Sequence, residues 1–159
     1  MAIESHTMSI LSRIIECKKR HCPLLAVLID PNKPTVYQTI LPYLQEVDLV
    51  FVGGSTGESI EPCISTLREY TNTPLVLFPG NIAQFSPHAD ALLFLSLLNA
   101  RDADMLITPH IKVAKQVLQS GIESIPTGYI LKARADTPMT VSVARQPLRA
   151  VARVPRAQA

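Results

Sequence analysis

Two short polar stretches, each closing a run of apolar residues, hold the side chains best suited to chemistry. Asp30-Pro31-Asn32-Lys33 follows residues 24–29, and Gly53-Gly54-Ser55-Thr56-Gly57 follows residues 48–52. In parallel β/α folds the loops at strand C-terminal ends converge and helix N-termini point toward them, so both stretches lie where working groups gather. Neighbouring strands run about 4.8 Å apart. If these two pair, the Asp30 carboxylate and the hydroxyl of Ser55 or Thr56 can share one cation. Magnesium suits such a set: it takes oxygen ligands, keeps several waters and needs only one or two carboxylates when substrate phosphates complete its shell. Gly53 and Gly54 would let backbone N–H groups approach phosphate oxygens, and Lys33 would draw an anion to the mouth. Each feature has a plainer reading that spacing leaves open. Asp30 before Pro31 can simply open a turn. The glycine stretch lacks the lysine of a P-loop, and an exposed lysine is ordinarily a solvated charge. His6, His21, His88 and His110 lack metal-ligand spacing and are assigned to surface or loops. Cys17, Cys22 and Cys63 read as small core residues. No catalytic acid, base or nucleophile is assigned.

Such strand-end groups need a scaffold, and the apolar pattern supplies one. Residues 9–20 put Ile10, Leu11, Ile14 and Ile15 on one stripe of an amphipathic helix. Residues 24–29 are too short for a helix and read as a fully buried strand. A helix beginning at Pro34 carries Val36, Ile40, Leu41 and Leu44 and is kinked or shortened at Pro42. Strands follow at 48–52, 75–78, 91–95, 105–107 and 129–131. Helices are expected at 59–70 and at 109–120, the latter ended by Gly121. Continuous apolar strands alternating with helices indicate a parallel sheet covered on both faces. Strand starts recur at roughly 20–35 residues, the unit of an eight-unit TIM barrel of about 250 residues. Residues 1–132 therefore supply about four to five β/α units of an incomplete barrel. The alternative is a doubly wound sheet, but the first β/α turn lacks the Gly-x-Gly-x-x-Gly fingerprint.

With 159 residues, 47% hydrophobic and 18% charged, the composition is that of one globular domain and excludes two complete ones. The longest apolar stretch, residues 91–98, is interrupted by Ser96 and falls far short of the roughly 20 residues a bilayer requires. Residues 1–6 carry Glu4 and no secretory pattern. Three cysteines without metal spacing fit reduced thiols, so a cytoplasmic location is expected. The net charge of +2 conceals a division. Residues 1–132 hold ten basic residues against twelve acidic ones, whereas residues 133–159 hold five arginines against Asp136 alone. Lysine, glycine and every aromatic residue vanish across that boundary. The Arg/Ala/Pro-rich tail is expected to be disordered. Without aromatic residues for stacking it is not expected to bind nucleic acid.

Five blocks carry a resemblance: Leu28-Ile29-Asp30-Pro31-Asn32-Lys33, Val50-Phe51-Val52-Gly53-Gly54-Ser55-Thr56-Gly57, Phe78-Pro79-Gly80-Asn81, Phe94-Leu95-Ser96-Leu97-Leu98-Asn99 and Ile125-Pro126-Thr127-Gly128-Tyr129-Ile130-Leu131. Together, in this order, they resemble the geranylgeranylglyceryl phosphate synthase family, including its bacterial heptaprenylglyceryl phosphate synthase relatives. The resemblance covers roughly residues 5–132. It implies a TIM-barrel prenyltransferase of phospholipid biosynthesis that joins the 3-hydroxyl of sn-glycerol 1-phosphate to C1 of a long prenyl diphosphate. It further implies Asp30 and Ser55 as magnesium ligands, with Lys33, Gly53, Gly54 and Thr56 on the substrate side. An apolar groove beside Phe78, Phe85 and Phe94 would take the prenyl chain. The family's glycerol-phosphate elements, a Tyr-x-Glu-x-Gly-Ser-Gly-like strand end and two glycine-rich turns, do not occur in these 159 residues. The expectation is therefore an N-terminal barrel part joined to a tail produced by truncation or a shifted reading frame. The alternative is a non-catalytic remnant that binds prenyl diphosphate or a partner chain. Open strand edges would favour self-association.

Overall fold

The computed structural model describes residues 8–33, 38–54, 59–100 and 106–130. Helix α1 (Ile10–Lys19) precedes β1 (Ala26–Ile29), and a 3-10 helix (Leu41–Glu46) leads into β2 (Leu49–Val52). Helix α2 (Glu61–Tyr70), β3 (Leu75–Leu77), β4 (Ala91–Leu97), α3 (Thr108–Ser120) and β5 (Glu123–Tyr129) follow. The five strands form one sheet in sequential order, β1 to β5, and every neighbouring pair is parallel. A doubly wound sheet reverses its strand order at a switch point. This sheet does not, and its order is that of a barrel wall.

Alternation along the strands divides the core into two layers. Val50, Val52, Leu75, Leu77 and Leu92 pack with Ile64 and Leu67 of α2 and Val117 of α3 on the helix-covered face. On the other face Leu49, Val76, Ala91, Leu93 and Ile125 pack against Ile10, with Leu11 and Ile14 of α1 beside them. Helix α1 is begun by Ser9, whose hydroxyl accepts from the Ser12 N–H at 3.2 Å. Helix α3 ends at Gly121 in the left-handed conformation, φ 69°, as the sequence predicts.

Four expectations are corrected. Residues 24–29 are not fully buried: Leu25 and Leu28 are 58% and 54% exposed, because β1 is an edge strand among the described residues. Pro42 does more than kink a helix. Residues 38–40 are helical, but a prolyl nitrogen cannot donate back along an α-helix, and the chain tightens into the 3-10 turn that buries Leu41 and Leu44. The strand expected at 105–107 is absent at its described positions. Leu106 is helical, and the Ile111 N–H donates to the Ile107 carbonyl at 3.1 Å, so Leu106 and Ile107 lead into α3. The last strand starts at Glu123, not at Tyr129. Pro126 and Gly128 are poor strand residues that hid it, and β5, at the edge of the sheet among the described residues, tolerates a proline whose missing N–H would point away from β4. Leu131 and residues 133–159 lie outside the described residues, as do Ser55 and Thr56.

Candidate active site

The β1–β2 register sets Ile29 beside Val52, so Asp30 and Gly53 leave adjacent strands at the same level. The Gly53 N–H donates to the Ile29 carbonyl at 3.0 Å, and the Phe78 N–H to the Val52 carbonyl at 2.8 Å, which extends the wall one residue past β3. Both glycines are required by close approach. A Cβ on Gly53 would lie 1.8 Å from the Phe78 carbonyl oxygen, and one on Gly54 would lie 2.4 Å from Oδ1 of Asp30. The Asp30 carboxylate thus rests against the Gly54 backbone.

The turn reading of Asp30 holds. Its Oδ1 accepts from the Asn32 N–H at 3.0 Å and from Asn32 Nδ2 at 3.2 Å, while the Lys33 N–H closes the turn on the Asp30 carbonyl at 2.9 Å. Its Oδ2 faces Lys33 Nζ at 3.6 Å, an ion pair longer than a hydrogen bond. One carboxylate oxygen therefore builds the turn, and the other has the longer Lys33 ion pair. The N–H groups of Gly53 and Gly54 donate within the protein, Gly54 to Oε1 of Gln84 at 3.3 Å. What these glycines supply is close approach, Gly53 to the Phe78 backbone and Gly54 to the Asp30 carboxylate.

Beside Asp30 opens a cleft of about 840 Å³. Phe78, Phe85 and Phe94, all expected beside an apolar groove, line it together with Leu95 and Tyr129; Asp30, Lys33, Gly53 and Gly54 line the same cleft. Phe78 stacks near Phe51 at 6.3 Å and meets Tyr129 edge-on at 6.0 Å, so aromatic rings form part of the wall. His110 departs from its expected surface or loop position: it lies in α3, lines the cleft and stacks on Phe94 at 4.6 Å. Its Nε2 lies 2.6 Å from the Leu95 carbonyl, an acceptor only, so the proton of a neutral ring belongs on that nitrogen. His88 is exposed and pairs with Glu61, and His21 sits in a left-handed turn, φ 55°.

The cysteines divide. Cys63 is buried as expected, and burial together with the nearby Asp30 charge pushes its thiol up to about 11. Cys17 is half-buried and Cys22 exposed, so neither is a core residue. Glu61 is held below the ordinary carboxylate value by its hydrogen bond from Ser86, with His88 adding to the effect and burial opposing it.

The residue that sequence reasoning missed is Gln84. It is 1% exposed, and its Oε1 accepts from Gly80 N–H at 2.7 Å as well as from Gly54. No spacing announces it, because a glutamine amid loop residues is ordinarily solvated.

Asp30 offers hard oxygen at a strand end, one oxygen held by the longer Lys33 ion pair, which fits magnesium, an ion that keeps waters and borrows ligands from a phosphate. Among the described residues no three His, Cys, Asp or Glu side chains gather into a protein cage, and no helix among them is long and apolar enough to cross a membrane.

Geranylgeranylglyceryl phosphate synthase of Zunongwangia profunda is 43% identical over 127 residues, 77% of this chain and 54% of its own length. That of Flavobacterium johnsoniae is 42% identical over 130 residues, covering 77% and 53%. The chain spans about half the length of the curated relatives it matches. Among solved structures, the synthase of Thermoplasma volcanium superposes with a TM-score of 0.72 at 31% identity, covering 88% of this chain and 59% of that one. The Thermoplasma acidophilum enzyme, in complex with its substrate sn-glycerol 1-phosphate, gives 0.72 at 30% identity, covering 85% and 56%. The five-stranded sheet is thus part of a TIM barrel, as the strand order and the resemblance both predict. The profile of the PcrB family matches residues 13–150, and the chain belongs to that family.

Proposed function

We propose that these residues form the prenyl-diphosphate part of a glycerol-phosphate prenyltransferase of the geranylgeranylglyceryl phosphate synthase type, acting in the cytoplasm. One observation carries the reading: Asp30 and Lys33 line the same 840 Å³ cleft as Phe78, Phe85 and Phe94. A ligand matched to it has a long apolar body and an anionic head. Each buried methylene of such a body contributes about 0.8 kcal/mol, and the aromatic walls exclude water from it.

In the reaction, the 3-hydroxyl oxygen of the glycerol phosphate attacks C1 of the prenyl diphosphate, the C1–O bond to diphosphate breaks, and the hydroxyl proton passes to solvent. Magnesium bound at Asp30 with Ser55, and Thr56 as the neighbouring hydroxyl, would neutralise charge developing on the leaving group. Asp30 has its turn-building oxygen engaged by Asn32, so its other oxygen is held in a fixed direction. Lys33, mostly exposed and only 3.6 Å from Asp30, supplies a positive charge able to turn toward the diphosphate.

These 159 residues alone are expected to bind prenyl diphosphate without forming the ether, since the family's glycerol-phosphate motifs are not among them and the nucleophile would not be oriented. Among the described residues no strand pairs with the outer edges of β1 and β5, and such edges favour self-association. Calorimetric titration of the purified protein with geranylgeranyl diphosphate and magnesium tests the reading. Tight binding, at least tenfold weaker for inorganic pyrophosphate and lost in Asp30→Ala, is expected. Equal affinity for the two ligands, or indifference to Asp30→Ala, would overturn it. A parallel assay with radiolabelled sn-glycerol 1-phosphate, beside a full-length relative, checks that ether forms only in the relative.

A further inference from the structure

We infer that Gln84 is a positioning residue for the Asp30 end of the sheet, acting through the backbone of Gly54. This rests on the reading of that end as the diphosphate site. The starting point is the steric fact that Asp30 leans on Gly54: a methyl group there would meet its Oδ1 at 2.4 Å. The carboxylate that Asn32 orients by hydrogen bonds is therefore also backed by the Gly54 backbone, and it has room to shift if that backbone moves. Gly54 has left β2, and no ladder hydrogen bond fixes its N–H; Gln84 does, at 3.3 Å.

The same oxygen takes the N–H of Gly80, at 2.7 Å, from the loop that follows β3. One buried acceptor thus joins two successive strand-end loops. A carbonyl oxygen has two lone pairs and can serve two donors. The loop that carries Gln84 is itself shaped for this. Asn81 Oδ1 accepts from the Ala83 N–H at 2.8 Å, and the Gln84 N–H returns to the Asn81 carbonyl at 3.2 Å, which turns the side chain back under the two glycines. Burial of Gln84 makes the arrangement stiff, because a buried amide oxygen without a partner is costly and these two N–H groups supply its partners. Loss of the acceptor would leave both N–H groups to seek water, and the surface supporting Asp30 would move.

The experiment compares Gln84→Met, of similar length without the acceptor, with Gln84→Glu, which keeps an oxygen at the same reach. Amide hydrogen exchange is followed residue by residue, and binding of inorganic pyrophosphate with magnesium is measured by calorimetry. Gln84→Met is expected to speed exchange at Gly54 and Gly80 at least tenfold more than at the β2 and β3 amides and to weaken pyrophosphate about tenfold. Gln84→Glu is expected to restore protection at both glycines. If Gln84→Met does not fold, Gln84→Asn, one methylene short, serves in its place. Unchanged exchange at the two glycines, or faster exchange spread evenly over the sheet, would overturn the assignment. So would unchanged pyrophosphate affinity once the glycines are released. Should the unaltered protein bind neither geranylgeranyl diphosphate nor pyrophosphate with magnesium, the functional reading falls and with it the positioning role, while the exchange rates still report whether Gln84 joins the two loops.

Discussion

The two ends of the sheet use their carboxylates in opposite ways. At the N-terminal end, Asp48 takes Arg13 at 2.7 Å on one oxygen and the Leu25 N–H at 2.9 Å on the other. Asp90 takes Arg68 at 2.6 Å and the Leu75 N–H at 2.7 Å. Glu123 gives one oxygen each to the N–H groups of Ile10 and Leu11, at 2.7 and 2.9 Å, and so caps α1 from the far side of the chain. At the C-terminal end Asp30 satisfies one oxygen with its own turn and leaves the other facing a lysine at 3.6 Å. The first set ties helices to strands and serves stability; Asp30 is less completely engaged, which suits the ligand role proposed for it.

The largest effect belongs to the position where the contrast reaches its limit. Gly53→Ala, at the C-terminal end, is expected to cost about 3 kcal/mol or more, because its Cβ would meet a backbone oxygen at 1.8 Å and not a movable side chain. Urea unfolding measures it. A loss below about 1 kcal/mol would mean that the β2 and β3 ends can part freely, and that this end is not held for function at all.

Next comes the N-terminal end. Asp48→Ala removes two charge-assisted bonds and is expected to cost about 2 kcal/mol. Glu123→Gln keeps one acceptor and loses the charge at a helix N-terminus, for about 1 kcal/mol, with faster amide exchange confined to the first turn of α1. Neither should alter prenyl diphosphate binding at the opposite end. Asp30→Asn supplies the converse: stability within about 0.5 kcal/mol of the parent with magnesium-dependent diphosphate binding lost. Destabilisation by Asp30→Asn as large as by Asp48→Ala would erase the distinction between the ends.

The same contrast explains what could be read from residues alone. The strands at 49–52, 75–77 and 91–97 were legible because a fully buried parallel strand is a continuous apolar run, and they lie inside the sheet. The adjacency of Asp30 and Gly53 followed from placing polar groups at the ends of neighbouring strands. Strand β5 was obscured by Pro126 and Gly128, residues whose local preference is overridden by seven residue pairs with β4. The cleft's other polar groups were hidden for a related reason. His110 and Gln84 derive their roles from backbone groups, the Leu95 carbonyl and the N–H groups of Gly54 and Gly80, and backbone partners leave no pattern in side-chain types. The carboxylates of the N-terminal end escaped notice in the same way.

The smallest effect tests a carboxylate that crosses the division. Glu61 starts α2, beyond the C-terminal end of β2, yet its partners are protein groups: the Ser86 hydroxyl first, then His88. Its carboxyl is held below the ordinary value, so the folded state is favoured wherever Glu61 is ionised. That contribution is fully present above the unfolded value of about 4.3, and it is lost as the pH falls through the lower, folded value. Glu61 and His88 are both well exposed to solvent, so screening keeps the effect small. Urea midpoints recorded from pH 6 downward should fall in acid more steeply for the parent than for Glu61→Gln, and the difference should shrink in high salt because part of it is ionic. Identical slopes would show that Glu61 gains nothing from Ser86 and His88. Glu61 would then resemble Asp30, a carboxylate at the C-terminal end that does not stabilise the fold, and the boundary between structural and functional acids would coincide with the two ends of the sheet.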